Sequence, residues 1–555
     1  MKAFRLALIA YLLMPTLHGQ GKVSVLFQSD AQWYLEDKVL DPTGEFYPDE
    51  EFLGQGHALI TYQSGNFTAG LRYENYQNVM LGFPTGYRGE GIAYRYAQWQ
   101  QGDWNFTVGN YYEQFGSGLI FRSYEERGLG LDNAMDGVRL IGDLGNGLQI
   151  KAVMGRQRLY FATGEGVLRG VDLDWDLTQP FPKLLDKGVF ASIGASFVSK
   201  FQRGYDPILN LPNNVGAWAI RGDVSKGLWD WSSEYAYKIN DPSYDNGYIY
   251  RPGQALVSTL TFAKKGFGLL LSGKRIDNMS FRSDRNAQQF DLFVNFLPSS
   301  TTPHLYALPS LYPYATQING EQGGQVEVSY QLPRGSKLGG KYGTLFVFNA
   351  SIAQSIDKQV LDDGSMAQAG SMGYQSDWLK AGEIPYFQDI NASWSKKYSR
   401  SYKTMLTFYD LRYNKTVLID GVGDAVILDS PNMDSVIHVQ AVVWENQFRL
   451  ANKQTLRSEI QLALADGYRG DMAMGLLEWT ISSNWTLAAQ DIYNYGHPTP
   501  SRRLHYPIVS VIHFNGPTRF QIGYGRQQQG VFCVGGVCRV VPPSNGLSIS
   551  ITSSL

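Results

Sequence analysis

The sequence predicts an all-β chain forming a single large transmembrane antiparallel up-and-down β-barrel. Apolar and polar residues alternate with period two along nearly all of it, which is the mark of strands with two different faces. Short and long connections alternate between those segments, as they do when strands run repeatedly between two unlike rims. Beyond the N-terminus there is no run of about 18 apolar residues, the length a helical span requires.

Alternation is plain in two segments. Trp229, Trp231, Tyr235 and Tyr237 interleave with Asp230, Ser232, Glu234 and Lys238. Leu456, Ile460 and Leu462 interleave with Lys453, Thr455, Arg457, Glu459 and Gln461. The aromatic and aliphatic sets are expected to face lipid. Asp230, Glu234, Lys238, Lys453, Arg457 and Glu459 are expected to face the lumen. A soluble sandwich would alternate too, with its apolar face in a core, so the connections decide between the two.

Tight turns are expected at Ser64-Gly65-Asn66, Gln101-Gly102-Asp103, Gly145-Asn146-Gly147, Ser225-Lys226-Gly227, Lys264-Lys265-Gly266, Ser482-Ser483-Asn484 and Asn515-Gly516-Pro517. These residues tolerate positive φ or initiate turns. Longer connections fall at Asp37 to Gln55, Gln114 to Leu131, Asp277 to Gly324, Asp357 to Pro385, Asn414 to Asn432 and Gln527 to Ser544. The resulting strand count is about 24, within roughly 20 to 26, in the range of bacterial barrels. It includes Gly170 to Leu177 and Gln288 to Leu297. Closing a sheet of this size removes its edges.

The N-terminus has the layout of a secretory signal peptide: Lys2 and Arg5, an apolar run from Leu6 to Leu13, then Gly19 and Gln20. Residues 1–20 are expected to be the signal and residues 21–555 the barrel, exported to the outer membrane of a Gram-negative bacterium. In the last segment Leu547, Ile549, Ile551 and Leu555 share one face, with Ser548, Ser550 and Thr552 on the other. That C-terminal face is the expected insertion signal for barrel-assembly machinery, and outer-membrane lipid the expected surrounding.

Only two cysteines are present, Cys533 and Cys538, on either side of Gly535 and Gly536. In an oxidising compartment they can close a tight loop by a disulfide; two free thiols are the alternative. A net charge of −2 in 555 residues gives no basic surplus, which argues against nucleic acid as a partner.

No catalytic constellation, metal site or cofactor motif is expected, and the chain is read as a non-enzyme. His57, His304, His438, His497, His505 and His513 show no metal-binding spacing, and there is no nucleophile elbow or phosphate loop. His304, His497 and His505 could serve a rim enzyme but read more simply as loop or strand-end histidines.

The segment Gln114 to Arg139, counted as the third external connection and the strand after it, is the best functional candidate. Arg122, Arg127 and Arg139 stand there with Glu125, Glu126, Asp132 and Asp136, a mixture that could form a charged pore constriction. Glycines at 116, 118, 128 and 130 would let it fold into the lumen. The connection from Asp277 to Gly324 carries Pro298, Pro303, Pro309 and Pro313 with Tyr306, Tyr312 and Tyr314, and is expected to cover or partly plug the mouth.

Two segments resemble an uncharacterised family of outer-membrane barrel proteins from Bacteroidota, a domain of unknown function. One runs Glu113-Gln114-Phe115-Gly116-Ser117-Gly118-Leu119 and on through Asp136-Gly137-Val138-Arg139. The other is Cys533-Val534-Gly535-Gly536-Val537-Cys538-Arg539 with Ser544-Asn545-Gly546 and the terminal strand. The first is also loosely similar to carbohydrate-export-type porins. The resemblance implies fold and location, and no function follows from it. Two roles are then open: a porin-like channel or transporter for a small polar solute, or a plugged assembly barrel docking a surface lipoprotein or secretion partner.

Overall fold

A computed structural model describes residues 21–289, 291–418, 436–451, 453–534 and 537–555, with the side chains of residues 451 and 532–538 outside that description. The expected signal segment and most of the connection from Asn414 to Asn432 lie outside the described residues, as do the side chains of Cys533 and Cys538, on which the expected disulfide depends.

A single sheet of 24 strands closes on itself. Its strands are β1 (Lys22–Tyr34), β2 (Phe52–Ser64), β3 (Phe67–Asn78), β4 (Gly89–Gln101), β5 (Trp104–Tyr111), β6 (Met135–Asp143), β7 (Leu148–Leu159) and β8 (Ala162–Asp176). Next come β9 (Val189–Phe201), β10 (Asn214–Lys226), β11 (Trp229–Lys238), β12 (Gly253–Lys264), β13 (Phe267–Asp277), β14 (Glu321–Leu332), β15 (Thr344–Gln359) and β16 (Gln375–Lys397). The last are β17 (Tyr402–Asn414), β18 (Val436–Ala451), β19 (Gln454–Ala465), β20 (Met472–Thr480), β21 (Trp485–Asn494), β22 (His505–Asn515), β23 (Thr518–Gln527) and β24 (Ser544–Ser554). Each pairs antiparallel with its neighbours, and β1 pairs with β24 from Leu26↔Ser554 to Tyr34↔Gly546. Leu555 adds a mutual backbone pair with Val25 at 2.8 and 2.9 Å. Among the described residues the closed barrel itself therefore has no edge strand.

The seven expected tight turns join strands at the rim that also holds both barrel ends, and the expected long connections that are described stand at the other rim. Two boundaries differ. The connection expected at Asp357 to Pro385 is partly strand, because β15 and β16 run on past the barrel as a hairpin with register shifts between Ala353 and Lys358. Gln288 to Leu297 is no strand but part of the long connection, with one isolated bridge, Arg282↔Phe293. Its apolar residues Phe293, Val294 and Leu297 are buried in a core of folded loops.

Period two sets the two faces. Trp218, Ile220, Trp231, Phe348, Leu406, Phe408, Leu462 and Ile522 point outward and are exposed. Trp99, Trp104, Trp229, Trp479 and Trp485 cluster beside the short turns, where amphipathic rings suit a membrane–water boundary. The apolar residues of the last strand follow the same rule: Leu547, Ile549 and Ile551 lie opposite Tyr524, Ile522 and Phe520, which are exposed on the outer face.

The inward half departs from the uniformly polar lining the alternation suggested. Near the short turns it carries Lys151, Asp172, Arg221 and Glu234, but higher up it turns small and apolar, through Leu168, Val198, Ala217, Ala219, Ala236 and Ala255. These residues are buried because chain folds in over them.

Candidate functional site

The third long connection, residues 112–134, turns into the lumen as soon as β5 ends. Short two-residue pairings, Glu113–Gln114 with Arg122–Ser123 and Glu125–Glu126 with Leu131–Asp132, hold it in shape. Gly116 takes φ 51° and Gly118 φ 96°. A Cβ on Gly116 would meet Glu234 Oε2 at 2.5 Å, so glycine here serves both the turn and the close approach to the wall. The Ser117 N–H donates to Glu234 Oε2 at 2.7 Å. Phe115, Leu119, Ile120 and Phe121 are fully buried against the small inward residues of β8 to β12.

The longest connection, residues 278–320, packs beside it and continues the same core through Met279, Phe281, Phe293, Val294 and Ile318. The two connections are laced by backbone bonds from Arg122 N to Val294 O (2.8 Å) and Phe296 N to Gly118 O (2.9 Å). Side-chain amides add Asn133 Nδ2 to Phe293 O at 2.8 Å and Asn295 Nδ2 to Leu119 O at 3.2 Å. The chain then crosses to a second sector of wall. Leu308 N donates to Gln461 Oε1 at 2.9 Å, and Tyr306 Oη to Glu445 Oε2 at 3.3 Å. Leu308, Tyr312 and Tyr314 pack with Tyr409, Leu411, Tyr413, Val439 and Ala441 in a second apolar core. Both in-folded segments thus bury apolar surface, the main driving force available to hold them.

The charged residues of 122–139 are held as follows. Asp132 is buried and shared by Arg72 and Arg158, the latter at 2.5 Å; both arginines also bind Glu74 at 2.6 Å. Glu125 meets Arg72 at 3.1 Å and Arg127 at 2.8 Å. Arg127 also donates to Gln28 at 3.1 Å and to His57 Nε2. Asp136 pairs with Arg95 at 3.0 Å, and Arg139 with Glu113 at 3.4 Å. Arg122 lies over the rings of Tyr124 and Phe296, 4.4 and 4.1 Å from their centroids. Glu126 is half-buried and accepts the Leu129 N–H through its carbonyl.

Of the wall residues, Lys238 is buried and donates to Ser280 O at 2.6 Å, with Asp241 3.9 Å away. Arg457 joins Glu445 at 3.0 Å and Glu459 inside the barrel. Asp230 keeps inward parity but lies exposed at the short-turn rim beside Ser225. Lys453 is exposed in a turn with φ 63°. His304 is buried on the crossing segment, whereas His497 and His505 lie in or beside the connection after β21.

Sequence reasoning missed the wall partners Arg72, Glu74 and Arg158, which lie far away in the chain. It also missed the small apolar inner band. The signal for the band is Val215 to Ile220, where both faces of one strand are apolar.

No curated protein matches the chain. Among solved structures, the siderophore receptor PirA from Pseudomonas aeruginosa aligns over 96% of this chain and 80% of its own, at 9% identity and a TM-score of 0.43. The P pilus usher (PapC) translocation pore aligns over 96% and 99%, at 9% identity and a TM-score of 0.41. A BenF-like porin from Pseudomonas fluorescens Pf-5 aligns over 80% and 98%, at 8% identity and a TM-score of 0.34. A family model spans residues 1–555, and the chain belongs to that family of unknown function, DUF6029.

Proposed function

We propose that this chain is an outer-membrane barrel passing a small polar solute through a lumen narrowed by its own connections 112–134 and 278–320. The outward apolar belt, the tryptophans beside the short turns and the unequal rims support the membrane setting. A barrel of 24 strands is too wide for side chains alone to fill, so a passage depends on what the in-folded segments leave.

The observation that carries this reading is Leu305. It is 93% exposed although the His304 side chain and Leu308 are buried against the wall. An apolar side chain left bare between His304, beside Asp389, and Tyr306, bonded to Glu445, marks open space within the barrel wall.

The test is ion current through the purified protein in a planar bilayer. A small steady current that grows when residues 299–313 are replaced by a short Gly/Ser link supports a narrowed passage. A silent wild type and a silent replacement would leave the second reading, a sealed barrel that docks secretion or surface partners. That reading draws on the two apolar cores, which bind the segments firmly to the wall.

A further inference from the structure

We infer that the lumen carries a built site for an amine-bearing, hydroxylated small solute, centred on Glu234 and Asp223 beneath the 112–134 segment. The inference deepens the reading of a solute-handling barrel by naming a solute class.

A cavity of about 470 Å³ lies there, between the Glu113–Ser117 stretch and the inner wall of β7 to β12. Cavities of this size take small ligands. Its lining side chains are nearly all polar or charged, with Val257 the one aliphatic side chain, and their methylene stems supply apolar surface between the polar heads.

Charge selects among polar guests. Five carboxylates line the cavity, Glu113, Asp172, Asp174, Asp223 and Glu234, against two cations, Lys151 and Arg221. Arg221 is taken by Asp172 at 2.8 Å and Asp174 at 2.7 Å, and Lys151 by Glu113 at 3.0 Å. Glu234 and Asp223 have no ion-pair partner among the described residues. The site therefore repels anions and attracts cations.

Glu234 is a second, independent sign of a guest. It is 5% exposed. Its Oε2 is met by the Ser117 N–H and the Ser117 hydroxyl stands beside the same carboxylate, while Oε1 completes no hydrogen bond among the described residues. Burying a carboxylate oxygen without a partner is costly, and a bound ammonium group removes that cost.

Among the described residues no three acidic or histidine side chains converge as metal ligands, which favours an organic ammonium over a metal ion. Gln149, Ser232 and the Ser117 hydroxyl offer hydrogen bonds to the rest of the molecule.

The test is calorimetric titration of the full chain in detergent with glucosamine, against glucose and N-acetylglucosamine as uncharged arms. Binding of glucosamine at least about tenfold tighter than either control, and weakened about tenfold or more by Glu234→Gln, supports the site. Asp223→Asn, placed near the short-turn rim, gives the same readout should the buried substitution disturb folding. Equal affinity for all three sugars, no binding by folded wild type, or two folded variants binding like wild type would overturn it. Binding with a silent bilayer would defeat the transport reading and keep the site; current without binding would do the reverse.

Discussion

Lys274 Nζ and Glu321 Oε1 stand 2.5 Å apart, both side chains almost fully buried, at the two roots of the crossing segment. Lys274 also donates to Pro298 O at 2.7 Å and Thr316 Oγ1 at 2.9 Å. Glu321 accepts the Gln317 N–H at 2.7 Å and the Tyr314 hydroxyl. One ion pair therefore ties the middle and the end of residues 278–320 to the two strands that flank them.

Breaking one side of such a pair leaves the other charge buried and alone, at a cost of about 3–5 kcal/mol. Lys274→Met is thus expected to loosen the segment, and Lys274→Met with Glu321→Gln to loosen it much less. Limited proteolysis of the folded barrel in detergent reads this directly. Equal cleavage in wild type, single and double variants would refute the clamp.

The aromatic Phe281 and the wall residue Ala236 share the first apolar core. Phe281→Ala is expected to cost about 3–5 kcal/mol of docking through lost burial and a cavity, and Ala236→Leu about 1–3 kcal/mol by overpacking. Both changes should raise the bilayer current. Unchanged current with unchanged proteolysis would show that these contacts do not hold the segments in place.

How far the fold was legible follows from what period two encodes. Trp229 and Trp231 against Asp230 and Ser232 announce two faces, and the glycine turns announce the rims, so strand number and closure could be read early. Ala217, Ala219 and Ala236 could not be assigned a partner in this way, since inward alanines become core only when Phe115 or Phe281 arrives from a distant segment. The charges of 122–139 were visible as a set. Their arrangement was not, because Asp132 takes its shape from Arg72 and Arg158, and Glu234 receives Ser117 from more than a hundred residues away.

Asp132→Asn removes the carboxylate that Arg72 and Arg158 share. Two buried cations then have only Glu74 and Glu125 for company, and the local field becomes more positive. Any residual current should shift toward anions, measured as a reversal potential in a salt gradient. A shift toward cations, or none, would place this cluster away from the ion path.

Ile220 is 54% exposed on the outer face of β10 beside Trp218. If that face meets lipid, Ile220→Lys should cost about 2–4 kcal/mol, since charge near the midplane of a bilayer is penalised by that much. Ser232→Lys, on the inward face, should cost far less. Denaturant titration in lipid vesicles compares the two, and equal costs would argue against a lipid-facing belt.

His304 lets the docking of the crossing segment respond to pH. Its ring packs edge-on to Tyr409, centroids 4.9 Å apart, and its Nε2 lies 3.5 Å from Asp389 Oδ2 without completing a hydrogen bond. Burial holds its pKa down at about 4, against an ordinary value of 6.5. Between those values the released segment binds a proton that the docked one excludes, so the contribution of His304 to docking is fully present above about pH 6.5 and weakens as pH falls toward 4. The lowered pKa corresponds to roughly 3 kcal/mol at its limit. Proteolysis of residues 299–313 should therefore accelerate on acidification across that window, and His304→Gln should flatten the response. Faster cleavage on raising the pH instead would mean that the neutral ring is not what holds this segment to Asp389 and Tyr409.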